Sequence, residues 1–105
     1  MESLIIGNLE IIYGNFGPAN WNLAMELADK KGCDLPSKMH LDIFHMLCKY
    51  KLGNFLDNTA YWTSDGIPSL DTAKVFLYRP GRGMILSTED TAWKYHIKLV
   101  RRIYD

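Results

Sequence analysis

A chain of 105 residues that is 48% apolar and 12% aromatic has enough material for one core and too much hydrophobicity for disorder. Its formal charge is zero, with three basic against six acidic residues up to position 48 and nine against six after it, an excess too small to demand a nucleic-acid partner. No run approaches the roughly 18 apolar residues of a membrane span, MESLIIGNLE lacks the basic cluster of a signal peptide, and two cysteines do not make a disulfide scaffold, so one cytoplasmic domain over residues 1–105 is expected.

Leu4 to Tyr13 carries two apolar runs split by Gly7-Asn8 and reads as extended chain with a turn, the second run being the better strand. Asn15 to Ala19 reads as a loop. Asn20 is an N-cap, and Trp21, Ala24, Met25 and Ala28 recur at helical spacing before Lys30, Lys31 and Gly32, which predicts a first helix over about 21–31.

The stretch CDLPSKMHL, residues 33–41, is dense in local signals. Pro36 disfavours helical geometry at Leu35, Ser37 can cap a new helix start, and Leu41, Phe44, Leu47 and Cys48 form one stripe, so a second helix is predicted over about 38–50. Lys51 to Asn58 reads as a loop. Ala60 to Ser64 is a strand ended by Asp65-Gly66, and Thr72–Tyr78 and Met84–Ser87 form a hairpin around Arg79-Pro80-Gly81-Arg82-Gly83. In the last strand Tyr95, Ile97 and Leu99 alternate with His96, Lys98 and Val100. The order implies an α+β domain with two helices covering one face of a small twisted antiparallel sheet.

Several residues, taken in order, resemble a known pattern. Trp21 and Ala24, then Leu35-Pro36-Ser37 with Leu41, then Tyr61-Trp62-Thr63-Ser64, then a hairpin and Leu99-Val100-Arg101-Arg102 are similar to the compact C-type-lectin-like domains of the bacterial collagen-like-protein C-terminal family. That family is common in bacterial and phage proteins. Its turn, near W-R-L-P-T-x-x-E-L, has Cys33-Asp34 here in place of Trp-Arg, and His40 where the family has glutamate. The resemblance implies a C-type-lectin-like fold and a phage or mobile-element accessory role. The E-P-N or Q-P-D and W-N-D motifs of calcium-dependent lectins are missing, so no calcium-dependent sugar binding is implied.

The chemistry-bearing residues point the same way. His45 and Cys48 are three apart on the second helix, but two residues do not make a triad, and a core cysteine beside a surface histidine accounts for them. His40, His45 and His96 lack metal-site spacing, and no phosphate loop, dinucleotide fingerprint or nucleophile elbow occurs; no cofactor and no enzymatic activity are expected. Trp21 and Trp62 belong in the core. The expected function is protein binding through loops 53–60, 65–71 and 87–94, with Phe55, Asp57, Asp65, Glu89, Asp90 and Trp93 as contacts, although Phe55 could instead plug an end of the core. Lys74, Arg79 and Arg82 with Tyr78 offer an alternative, nucleic-acid contact, and a tail or surface ligand-binding domain is a third reading. Cys33, Asp34 and His40 mark where something particular to this chain is expected.

Overall fold

The structure, a computed structural model, describes residues 2–103. Six strands and two α-helices follow one another as β1 (Ser3–Ile6), β2 (Leu9–Ala19), α1 (Trp21–Lys30), α2 (Leu41–Lys49), β3 (Tyr61–Ile67), β4 (Thr72–Arg79), β5 (Gly83–Asp90) and β6 (Tyr95–Arg102). All the strands lie in one sheet of order β1-β2-β6-β3-β4-β5. The pairs are antiparallel except β3–β6, which is parallel, so the sheet is mixed where sequence reasoning expected it purely antiparallel.

Local chemistry explains most boundaries. Gly7, at φ +59°, opens the two-residue turn between Ile6 and Leu9. Asn20 Oδ1 accepts the Leu23 N–H at 2.9 Å and starts α1. At its other end Gly32, at φ +67°, allows Cys33 N–H to reach Ala28 O at 2.8 Å and Gly32 N–H to reach Asp29 O at 3.0 Å, a paired C-terminal cap. A single 3₁₀ turn, Lys38–His40, precedes α2 within the span predicted as one helix. Ser37 Oγ accepts the Met39 N–H there, and Asp65 Oδ2 on β3 accepts the Lys38 N–H at 2.6 Å. A carboxylate from a distant strand thus serves the helix start that lacks a local glutamate.

Two predicted breaks are absent. Asn15–Ala19, expected as a loop, forms the second half of β2 and pairs with β6 across two register shifts. β1 reaches only as far as Ile12, so beyond it β2 has a neighbour on one side, an edge on which Pro18 is tolerated. Asp65-Gly66 does not end β3, which continues to Ile67. Gly66 serves packing instead, since a Cβ there would lie 2.5 Å from Trp21 Cζ2.

The helices lie on opposite faces of the sheet, which corrects the expectation that both cover one face. Ile12, Trp62, Val75, Ile97 and Leu99 pack with Trp21, Ala24 and Ala28 of α1. Their immediate neighbours Ile11, Tyr61, Phe76 and Val100 pack with Phe44 and Leu47 of α2. Successive strand residues point to opposite faces, so each helix takes one set. This double cover buries Ile97, Lys98, Leu99 and Val100 in succession and abolishes the exposed half of the predicted alternation.

Candidate functional site

β3 and β6 pair at one position only, Tyr61 opposite His96. Past that point the turn singled out in the sequence lies between them. Asp34 N–H donates to Val100 O at 2.8 Å, Val100 N–H donates to Asp34 O at 2.9 Å, and Pro36 O accepts the Ser64 N–H at 2.9 Å. The segment Cys33–Pro36 is therefore a wedge bonded to both strands, with Leu35 and Pro36 buried. Its density of local signals fixes a piece of irregular chain inside the sheet, where every backbone polar group needs a partner.

A cleft of about 430 Å³ opens beside this wedge. Crevices of this size, where parallel neighbours separate beyond their carboxyl ends, are common ligand sites. Leu9, Leu35 and Val100, with Met25 and Ala28 of α1, supply apolar lining; Asp29 of α1, Asp34, His40 and Arg102 supply charge and hydrogen-bonding capacity. Cys33 also lines it, as does Ser37, so the three positions singled out in the sequence, Cys33, Asp34 and His40, all face one cavity. His40 Nδ1 is buried without a hydrogen-bond partner. The Cys33 thiol is pushed above its ordinary pKa by burial, and it points at Lys31 O, 3.5 Å away.

The residue that sequence reasoning missed is Lys98. It is 0% exposed, and its Nζ donates to Tyr13 O and Asn54 O, each at 3.0 Å, while sitting 5.0 Å from the centre of the Phe55 ring. Burial lowers its pKa to about 8. Around it runs a polar network: Asn54 Nδ2 donates to Tyr13 O, Asn15 Nδ2 donates to Asn54 O, Tyr61 Oη donates to Asn15 Oδ1, and Leu56 N–H donates to Tyr61 Oη. This network pins the 51–58 segment onto β2, β3 and β6. Cys48 is buried nearby and its thiol is pushed up to about 12 by burial, so it stays protonated at neutral pH. His45 turns to Tyr78, with ring centres 5.7 Å apart.

The expected contact residues are dispersed. The 53–60 segment precedes β3, whereas 65–71 and 87–94 meet at its far end, roughly 20 Å along the strand. Phe55 is not a surface anchor; it packs against Phe44, Tyr61 and Phe76 in the α2-side core, as a plug. Asp57 is ion-paired with Lys51 at 3.7 Å at that same end. Asp65 is occupied as a cap. Glu89 and Asp90, expected in a loop, lie on β5; Glu89 accepts from Ser87 Oγ, and Asp90 Oδ1 accepts the Ala92 N–H. Trp93 is left 57% exposed, and on an adjoining segment so are two residues the sequence did not single out, Leu70 at 65% and Ile67 at 53%. Their segments are joined by the Thr91 N–H bond to Asp71 O and by the pairing of Thr72 with Asp90. Arg79 and Arg82 are exposed at the β4–β5 turn, but Lys74 lies five residues down β4, roughly 16 Å away, against Thr88 Oγ1.

Among the described residues no three His, Cys, Asp or Glu side chains come together as a metal site requires, and no helix is long and apolar enough to cross a membrane. Comparison with known proteins adds no relative: no family model, no curated protein and no solved structure matches the chain.

Proposed function

We propose that this is a non-catalytic, C-type-lectin-like binding domain that docks a protein partner at the end of the sheet formed by 65–71 and 90–94. The lectin-like reading is supported by the topology: β2 pairs with β6, and both helices with β3, β4 and β5 lie on the excursion between them. The docking reading rests on one observation above the rest, the exposure of Trp93, Leu70 and Ile67 together on adjoining backbone. Large apolar side chains gathered at one place on a surface mark interaction sites, and tryptophan is the residue most enriched in binding hot spots. Asp71, Glu89 and Asp90 border them, so the fitting partner presents an apolar socket with a basic rim. An accessory role in a phage or mobile element, acting on a host or defence protein, follows from the family resemblance.

Affinity capture from the lysate of the encoding cell tests this, with wild type beside a Trp93→Ala, Leu70→Ser double variant. A protein retained in stoichiometric amount by wild type, lost with the variant and weakened by salt supports the reading. Retention of the same proteins by both, or of none by wild type, overturns it.

A further inference from the structure

The cleft beside the wedge places two opposite charges on one face without letting them meet. Asp34 is paired directly with Val100, so their side chains share a face, and Arg102, two residues on, shares it too, opposite Leu9. Asp34 and Arg102 are thus diagonal neighbours, with Cβ atoms roughly 7–8 Å apart. Among the described residues neither belongs to an ion pair within 4.0 Å, whereas the adjacent Arg101 is taken up by Glu10 on β2, at 2.5 Å. Between the two charges the floor is apolar, with Leu9 at 4% and Val100 at 3% exposure. His40, whose buried Nδ1 has no partner, stands on the same cleft.

From this arrangement we infer that the cleft is a binding site for a small zwitterion with an apolar body, of the size of an unblocked dipeptide. Its ammonium group takes the Asp34 carboxylate, its carboxylate takes the Arg102 guanidinium in a two-pronged hydrogen bond, and its side chains lie on Leu9 and Val100. An extended dipeptide spans about 7 Å between its ends, comparable to the diagonal Cβ separation of the two residues, and the long arginine side chain lets its guanidinium reach the carboxylate end. A singly charged ligand of the same size leaves one of the two groups unserved. The site is separate from the docking end and does not depend on it.

Titration of the ¹⁵N-labelled protein with Leu-Leu, N-acetyl-Leu-Leu and Leu-Leu-amide, followed by amide chemical shifts, tests the inference. Leu-Leu is expected to give saturable shifts at Asp34, Leu35 and Val100, weakened at least about tenfold by blocking either end and by either Asp34→Asn or Arg102→Gln. Both side chains are exposed, so both variants keep the wild-type spectrum elsewhere. Absence of saturable shifts up to about 10 mM Leu-Leu, equal shifts from all three peptides, dependence on one end only, or indifference to both variants would each overturn it.

Discussion

Lys98 Nζ lies 3.0 Å from Asn54 O and serves it as a cation with no carboxylate beside it among the described residues. The lysine is one of the most thoroughly enclosed side chains of the fold, and it titrates near the physiological range. Its burial is a cost that the folded state meets with two carbonyls and an aromatic ring.

That cost sets a pH dependence. The Lys98 pKa is about 8 folded against about 10.4 unfolded, so between these values the unfolded chain holds a proton the folded one has released, and stability rises with pH. Cys48 acts in the opposite sense. Its thiol, held up to about 12, keeps a proton the unfolded chain loses from about pH 8.5 upward, and stability falls. Over pH 8–10 the two effects oppose each other in the wild type. The stability of wild type relative to Lys98→Met should therefore grow over that window, by on the order of 1 kcal/mol per pH unit. Urea midpoints of the two proteins at half-unit pH steps measure it, and a constant difference would refute the titration of Lys98.

The same burial predicts an inert thiol. Cys48 should alkylate with iodoacetamide at pH 7.5 only as fast as the protein opens, and Cys33, also buried, should behave likewise. Mass spectrometry of labelling against time in rising urea decides this. Rapid labelling of Cys48 in the native protein would point to a reactive centre.

Asp65 carries a cap across 27 residues of sequence. Asp65→Ala should cost about 1 kcal/mol, similar to Ser37→Ala, because each leaves one N–H at the start of the helical segment without its acceptor. Chemical denaturation reads both values. The pair should be less than additive, since either loss frays the same turn.

Gly66→Ala should be among the most destabilising small changes, at roughly 1–3 kcal/mol, because its methyl group would meet the Trp21 ring inside normal contact distance. The Trp21 indole is held by its bond to Thr63 O and cannot retreat without losing it. Trp93→Ala, by contrast, should leave stability within about 0.5 kcal/mol while removing partner capture. Thermal melts of the two variants side by side make the comparison.

The helices, the caps and the hairpin could be read from local signals because their causes are local: Asn20, Gly32 and Ser37 act within a turn of chain, and Arg79–Gly83 contains its own reversal. The sidedness of the helices could not. Ile11-Ile12 and Leu99-Val100 are adjacent apolar pairs, which signal cover on both faces only once the neighbouring strand is known. Lys98 was hidden by the same ambiguity, since a lysine inside HIKLV looks like the wet half of an alternation until α2 and Phe55 close over it. Asp65 looked like a free surface acid because its partner, Lys38 N–H, is remote in sequence. The cleft was foreshadowed only as oddities at Cys33, Asp34 and His40; no local rule says that these three share a cavity.

Glu10 and Arg101 stand 91 residues apart in sequence, and their pairing closes nearly the whole chain into one loop. Bringing such remote segments together forfeits chain entropy before the contact repays any of it. The β4–β5 hairpin and α1 rest on contacts local in sequence, whereas the β2–β6 seam joins segments from near the two ends of the described chain. A seam inside the sheet, rather than either of its outer ladders, thus carries the largest loop-closure cost of the fold.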